Sequence, residues 1–190
     1  MKVRDSGMPD RDYWESLVDV PLILHRMGIG GQIDRLVEFG CGYGTFTIPC
    51  ARAIRGSVIA FDIEEDMIEM TRGQMAAASL ANIALHKRDF VAEGTGLAAS
   101  SADYVMLFNI LHHEKPLELL GEAFRILQPG GRAGLMHWNY DPKTPRGPTM
   151  DIRSKPEQMT EWAQSAGFVL DANPLIDLPP YHYGLVTKKP

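Results

Sequence analysis

Three closely spaced glycines in the first third of the chain constrain its fold more than any other feature. Gly40, Gly42 and Gly44 follow an apolar run that contains the acid Glu38, and a candidate helix comes after them. Glycine tolerates positive φ and lets a ligand approach the main chain closely. A helix N-terminus adds unpaired N–H groups that suit an anionic group. The pattern therefore predicts a strand, a tight turn and a helix that together bind a small, partly anionic ligand.

Short apolar runs alternate with helical patterns along most of the chain, which predicts βαβ units and a mainly parallel sheet. A helical region at 10–27 is expected to divide at Pro21. The predicted strands cover 34–39, 57–62, 82–87, 103–108, 132–138, 167–171 and 182–188, and the predicted helices cover 43–54, 64–78, 114–128 and 155–166. Ligands of such sheets bind beyond the carboxyl ends of the strands.

Length and composition favour one ordinary globular domain over residues 1–190, with a helical cap at 1–30 and a core at 31–190. The formal net charge is −5 and no basic stripe is visible, so we expect no nucleic-acid partner. Two cysteines make a disulfide framework improbable, and no apolar run approaches the roughly 20 residues of a membrane span. We expect a cytoplasmic protein, a monomer or a homodimer.

The spacing of the glycines argues against a dinucleotide site. The G-x-G-x-x-G fingerprint needs a glycine at position 45, where this chain has Thr45, and the third glycine is Gly44. Asp62 ends the second predicted strand, where a carboxylate can accept hydrogen bonds from both hydroxyls of a ribose.

The combination of Glu38, G-x-G-x-G and Asp62 resembles the class I S-adenosylmethionine-dependent methyltransferases. The resemblance covers about residues 34–139 and is greatest to the small-molecule type that includes ubiquinone/menaquinone biosynthesis methyltransferases. It implies an α/β fold: a Rossmann-like, doubly wound, mostly parallel seven-stranded sheet with an antiparallel C-terminal edge strand. It also implies S-adenosylmethionine as the cofactor and a small-molecule methyl acceptor as the partner.

The resemblance also implies a set of cofactor-binding residues at the strand ends. The glycines would wrap the methionine part, with Glu38 near its amino group and Asp62 at the ribose. The full expected set is Glu38, Gly40, Gly42, Gly44, Asp62, Ile63, Asp89, Phe90 and Asn109. Structural alternatives stay open for each acid, since Glu38 could satisfy loop amides, Asp62 could cap a helix, and Asp89 could pair with Arg88 or cap a turn.

Methyl transfer from a sulfonium needs donor and acceptor held in line, and a general base where the acceptor must lose a proton. Histidine is the usual base near neutral pH. His113 and His137 are the candidate catalytic residues, and His112 is less favoured. The alternative for each is a hydrogen-bonded histidine under a loop.

Tyr13, Trp138 and Arg146 are candidate substrate contacts. An aromatic ring can attract a cation, and a guanidinium binds carboxylates or phosphates. The alternatives are that Trp14 only anchors its helix and that Arg146 or Arg153 pairs with a nearby aspartate. We expect no metal site.

Two other functions remain compatible with these motifs. One is a non-catalytic protein that binds S-adenosylmethionine or S-adenosylhomocysteine. The other is an NAD-dependent oxidoreductase, which Thr45 and the lack of a recognisable hydride-transfer Tyr/Lys pair make less favoured.

Overall fold

The computed structural model describes residues 9–190, and a seven-stranded sheet forms its centre. The strands are β1 (Arg35–Phe39), β2 (Ser57–Asp62), β3 (Ile83–Lys87), β4 (Ala102–Phe108), β5 (Leu127–Trp138), β6 (Val169–Leu178) and β7 (His182–Lys188). Their order across the sheet is β3-β2-β1-β4-β5-β7-β6. The order reverses beside β1, which creates the crevice where ligands of open α/β sheets bind.

The strand directions confirm the predicted fold class. β1 pairs in parallel with β2 and β4, and the parallel pairing continues outward to β3 and β5. β7 runs antiparallel to both β5 and β6, so the last two strands form an antiparallel pair at one edge. The C-terminal strand β7 lies between β5 and β6, and β6 is the outermost strand.

Helices cover both faces of the sheet. They are α1 (Arg11–Glu15), α2 (Val20–Arg26), α3 (Thr47–Ala53), α4 (Glu65–Ala77), α5 (Phe90–Glu93), α6 (Pro116–Ile126) and α7 (Pro156–Ser165). One apolar core lies between the sheet and α1–α4, with Ile23, Leu36 and Met106 fully buried. The second lies on the opposite face beneath α6 and α7, with Leu120 and Met159 fully buried.

Most element boundaries fall within a few residues of the predicted ones. β5 begins at Leu127, ahead of the predicted start at 132, and three other differences have physical reasons. The first core helix begins at Thr47 instead of 43, because the glycine turn extends to Phe46. The short helix α5 was not predicted; Asp89 caps it by accepting a hydrogen bond from the Ala92 amide at 3.0 Å. β6 extends to Leu178 because a register shift between Leu170 and Leu175 lets pairing with β7 resume.

The division of the N-terminal region is as expected, with Pro21 in the first turn of α2. Residues 1–8 of the expected cap at 1–30 lie outside the described residues, and the single-domain assignment stays a prediction. Within residues 9–190, none of the helices has the length and apolar character that a membrane span needs.

Gly56 lies where the starts of β1 and β2 approach each other closely. A Cβ at this position would lie 1.8 Å from the backbone oxygen of Asp34, so either strand start must move to admit it. We expect Gly56→Ala to lower the free energy of unfolding by about 3 kcal/mol. Gly73→Ala is the matched control: position 73 is exposed in α4 with nothing within 4 Å, and alanine should stabilise it by about 0.5–1 kcal/mol. Urea denaturation measures both, and equal effects of the two variants would contradict the close approach.

Candidate ligand-binding cleft

A cleft opens at the carboxyl ends of β1, β2 and β4, on the sheet edge where the order of strands reverses. Nine of the fourteen residues expected to bind the cofactor, take part in catalysis or contact the substrate line it: Glu38, Gly40, Gly42, Asp62, Ile63, Asp89, Phe90, Asn109 and His113. The other five do not line it: Gly44, His137, Tyr13, Trp138 and Arg146. The fold thus brings together almost all of the expected cofactor set, whereas the expected substrate contacts lie elsewhere.

The glycine loop owes its shape to backbone conformations that favour glycine. Gly40, Gly42 and Gly44 all have positive φ, at 82°, 52° and 79°. The amides of Gly40 and Cys41 both donate to the backbone oxygen of Phe61 at 2.9 Å, which ties the loop to the end of β2. Gly44 acts behind the cleft, since a Cβ there would lie 3.0 Å from Thr71.

Glu38 is a buried acid at the floor of the cleft. Its side chain accepts a hydrogen bond from the Thr47 hydroxyl at 2.5 Å, and the residue is only 3% exposed. The pKa of Glu38 is raised to about 8: burial raises it, the Thr47 hydrogen bond acts against this, and the nearby charge of Asp62 adds to the rise. Without a cation beside it, Glu38 is therefore largely protonated at neutral pH, and a cationic ligand group would favour its ionised form.

Asp62 joins two loops at the mouth of the cleft. One carboxylate oxygen accepts from the Gly42 amide at 2.9 Å and the other from the Glu64 amide at 3.0 Å. Burial raises the pKa of Asp62, and these backbone hydrogen bonds act in the opposite direction. Each oxygen retains a second lone pair, so the carboxylate can still accept hydrogen bonds from a ligand.

Two buried polar atoms in the cleft wall have no hydrogen-bond partner within the described part of the chain. They are Oγ1 of Thr45 and Oδ1 of Asn109. Asn109 also adopts a positive φ of 55°, which turns its side chain at the end of β4. Buried polar atoms are nearly always satisfied, so the two atoms indicate that a polar ligand completes this wall.

The acid at the end of β3 has a structural task. Asp89 caps α5 through the Ala92 amide, as one of the alternatives from the sequence proposed. It still lines the cleft together with Phe90 and Ile63. Arg88 donates to the backbone oxygens of Gly94 at 2.6 Å and Glu93 at 3.2 Å.

The two candidate catalytic histidines, His113 and His137, lie in different surroundings. His113 lines the cleft, and its Nδ1 accepts the Lys115 amide at 3.1 Å, which fixes the start of α6. His137 is fully buried and does not reach the cleft. His112 also lines the cleft, and its Nδ1 lies 3.3 Å from Nε2 of His137. The catalytic assignment of His113 and His137 stays a prediction.

Two of the expected substrate contacts, Tyr13 and Trp138, do not line the cleft. Trp138 is buried between Trp14, at 6.0 Å between ring centroids, and His182, at 4.2 Å. Trp14 both anchors α1 in this way and lines the cleft, whereas Tyr13 is 44% exposed outside it. The roles proposed for Tyr13 and Trp138 in substrate binding remain predictions.

Arg153 organises the loop after β5. Its guanidinium donates to backbone oxygens of Asn139, Asp141 and Pro148 at 2.8–3.1 Å, and to the hydroxyl of Thr144. The hydrogen bonds of Arg153 thus go to loop carbonyls, whereas the alternative from the sequence was a salt bridge to a nearby aspartate. Arg146 lies in this loop, outside the cleft, and its role in substrate binding stays a prediction.

Sequence reasoning did not include Thr45 or Thr47 among the site residues, although both are buried close to the start of α3. It used Thr45 only as the residue that replaces the glycine of a dinucleotide loop, and its hydroxyl was the available signal. The Thr47–Glu38 hydrogen bond joins residues nine positions apart and has no signal in the sequence. Among residues 9–190, no three histidine, cysteine or acidic side chains are grouped as a metal site.

The sequence of the chain is similar to those of known proteins. Residues 36–131, just over half of the chain, match the family model described as a methyltransferase domain. The chain is 31% identical over 99 residues to a demethylmenaquinone methyltransferase of Shouchella clausii, covering 48% of this chain and 40% of the relative. It is 32% identical over 127 residues to the ubiquinone/menaquinone biosynthesis C-methyltransferase of Roseobacter denitrificans, covering 64% and 49%.

The fold also occurs in solved structures. A SAM-dependent methyltransferase from Aquifex aeolicus superposes with a TM-score of 0.80 at 19% identity, over 98% of this chain and 96% of that one. This likeness concerns the fold. The chain spans less than half the length of either curated relative.

The buried carboxyl of Glu38 makes stability depend on pH in a defined direction. The folded protein retains the Glu38 proton up to a pKa of about 8, whereas the unfolded chain loses it near 4.5. Between these values unfolding releases a proton, so a rise in pH lowers the free energy of unfolding, by up to about 1.4 kcal/mol per pH unit.

Glu38→Gln isolates this effect, because glutamine can accept the Thr47 hydrogen bond and does not titrate. We expect the ligand-free wild type to lose stability relative to Glu38→Gln as the pH rises from about 5 to 8. Urea denaturation at matched pH values measures the difference. A difference that stays constant over this range would show that Glu38 is ionised in the folded protein.

Proposed function

The chain belongs to the methyltransferase domain family, and we propose that it transfers a methyl group from S-adenosylmethionine to a small-molecule acceptor. The observation that carries the proposal is the convergence of Glu38, the glycine loop, Asp62 and Asn109 on one cleft. These residues lie far apart along the chain, and only a ligand with several distinct polar groups requires all of them.

We propose that the cleft holds the cofactor through its charged and hydroxyl groups. Glu38 faces the amino group, where ionisation of its carboxyl provides a counter-charge. The loop of Gly40 and Gly42 follows the methionine part, and Gly44 keeps that loop against Thr71. Asp62 accepts from the ribose hydroxyls through its remaining lone pairs.

The remaining expected contacts surround the base. Ile63 packs against the adenine, Asp89 accepts from its amino group, and the amide of Phe90 faces the ring. Thr45 and Asn109 offer their unpartnered oxygens to the amino-acid end. Bound S-adenosylmethionine would supply an activated methyl group on a sulfonium. The side chains around it position the acceptor and exclude water, which is the main requirement of an in-line displacement.

We propose a small acceptor, no nucleic-acid partner, a cytoplasmic location, and a monomer or homodimer of one domain. A reduced naphthoquinone without a ring methyl group is the first acceptor to test, because two relatives carry the names of quinone methyltransferases. If Tyr13, Trp138 and Arg146 contact the acceptor, they do so in a part of the acceptor site that lies outside the cleft described above.

Isothermal titration calorimetry distinguishes the candidate functions. We expect binding of S-adenosylmethionine and S-adenosylhomocysteine and none of NAD. Tight binding of NAD without either adenosyl ligand would overturn the proposal in favour of an oxidoreductase. Transfer of a labelled methyl group to a panel of small molecules, including the reduced naphthoquinone, then separates an enzyme from a non-catalytic binding protein.

Asp62 is the most informative single position for cofactor binding. Asp62→Asn retains an oxygen for one of the two backbone amides and loses the charge, whereas Asp62→Ala removes both hydrogen bonds. We expect S-adenosylhomocysteine to bind about 10-fold more weakly to the Asn variant and at least 100-fold more weakly to the Ala variant, since charge-assisted hydrogen bonds contribute about 1.5–3 kcal/mol each.

Asp66→Asn is the matched control for these variants. Asp66 is an exposed acid in the first turn of α4 and does not line the cleft. Calorimetry should give it the wild-type affinity. If Asp66→Asn and Asp62→Asn weakened binding equally, the effect would come from net charge and not from a contact in the cleft.

A further inference from the structure

A buried contact joins the end of β4 to the start of β7. Asn109 follows β4 and lines the cleft, and His182 is the first residue of β7. Nδ2 of Asn109 and Nε2 of His182 are 3.3 Å apart, although the two residues are 73 positions apart in the chain. His182 has no exposed surface and does not line the cleft, so it contacts the cleft wall from the interior.

The contact is a hydrogen bond between two neutral groups. Burial lowers the pKa of His182 to about 3, so the ring is neutral near pH 7. A neutral imidazole carries one N–H donor and one acceptor nitrogen, and an asparagine amide can supply the partner of either. The hydrogen bond therefore forms with either tautomer of the ring, provided that the matching end of the amide is turned towards Nε2.

Packing alone does not require a histidine at position 182. The ring lies against Trp138, with centroids 4.2 Å apart at an angle of 38°, and a phenylalanine could make the same contact. Nδ1 of His182 is buried without a hydrogen-bond partner in the described part of the chain. An unpaired buried nitrogen lowers stability, and a phenyl ring would avoid that cost. The contact with Asn109 is what distinguishes the imidazole from a phenyl ring at this position.

The side chain of Asn109 needs a support to keep one orientation. The residue has a positive φ of 55°, and its backbone amide donates to the Met136 oxygen at 2.8 Å, which fixes the main chain. The terminal torsion of an asparagine is broad, so the plane of the amide is fixed only when a hydrogen bond holds it. Oδ1 of Asn109 has no partner within residues 9–190, which leaves His182 as the residue that holds this plane.

We propose that His182 is a positioning residue for ligand binding, which holds the Asn109 amide so that its other end faces the amino-acid end of S-adenosylmethionine. This inference rests on the proposed function. The amino-acid end of the ligand carries both an ammonium donor and a carboxylate acceptor, so either end of the amide finds a partner there. A polar group that is already fixed loses little conformational entropy when the ligand binds, which favours affinity.

The role of His182 extends the site beyond the part of the chain that defines the family. The family model covers residues 36–131, and the residues that line the cleft lie between Trp14 and His113. β7 contributes none of them, yet its first residue supports the cleft wall at Asn109. The antiparallel strand at the end of the chain thus takes part in ligand binding through one buried side chain.

A double-mutant cycle on the affinity for S-adenosylhomocysteine separates positioning from a general structural effect. His182→Phe keeps a ring against Trp138 and removes the hydrogen bond. Asn109→Gly removes the side chain at a positive φ that glycine adopts readily. We expect calorimetry to give about 3- to 10-fold weaker binding for His182→Phe in the wild-type background. In the Asn109→Gly background the same substitution should change the affinity by less than about twofold.

His182→Gln and Tyr183→Phe are the matched controls. Glutamine can place an amide near the position of Nε2 and keep a hydrogen bond to Asn109, so its affinity should be within about twofold of the wild type. Tyr183 is the next residue of β7 and is buried in the opposite core, where its hydroxyl donates to the Ser154 oxygen at 2.8 Å. Tyr183→Phe should bind with the wild-type affinity, although it also loses a buried hydrogen bond. Equal losses in Tyr183→Phe and His182→Phe would contradict a specific role of His182.

Nuclear magnetic resonance of protein labelled with ¹⁵N-histidine tests the contact itself, even if His182→Phe does not fold. His182→Gln identifies the signals of His182 by their loss. We expect the Nε2 signal to shift in Asn109→Gly, and to shift in the wild type when S-adenosylhomocysteine is added. A signal that is the same in the wild type and in Asn109→Gly would overturn the proposal.

The affinities also separate this inference from the proposed function. Equal losses for His182→Phe in the two backgrounds would show that His182 only supports the fold, and an unchanged affinity in the wild-type background would show that Asn109 needs no support. Either result, with a wild type that binds the ligand, contradicts this inference alone. A wild type that binds neither S-adenosylmethionine nor S-adenosylhomocysteine would refute the proposed function, and this inference with it.

Discussion

The carboxylate of Asp62 is the interaction on which the cleft depends. It accepts the Gly42 amide from the loop after β1 and the Glu64 amide at the start of α4, so one side chain fixes two strand–helix connections. The oxygen of Phe61, one residue earlier, accepts the amides of Gly40 and Cys41. The end of β2 thereby serves as the template on which the glycine loop is shaped, and the polar wall of the cleft follows from that shape.

This arrangement places costly groups in the interior. Glu38 is a buried acid, and Thr45 and Asn109 keep buried oxygens that no described residue satisfies. A fold selected for stability alone would pair or remove such groups. Their presence together at one edge of the sheet indicates a site that a ligand completes.

Most residues expected to bind the cofactor lie at the ends of strands one to four. Apolar runs locate these strands, and parallel strands present their carboxyl ends at one edge, so the sequence predicts that Glu38, Asp62, Asp89 and Asn109 lie together, as they do in the cleft. Their roles toward a cofactor come from the family resemblance and stay predictions. The substrate side could not be located in this way. Tyr13 is expected there as an aromatic residue of the N-terminal helical region and Trp138 as an aromatic residue at the end of the fifth predicted strand. Neither position distinguishes an aromatic ring that lines a cleft from one that packs behind it.

The sequence by itself determined the sheet, its mostly parallel order and the glycine turn, because these depend on local periodicity and on conformations that glycine adopts most readily. Only the tertiary structure decided which polar groups meet. His112 contacts His137 across 25 residues, Thr47 contacts Glu38, and Arg153 collects the carbonyls of its own loop. These contacts depend on the packing of side chains from separate elements and on burial, which sets their protonation, and neither quantity is encoded in the local pattern of any one segment.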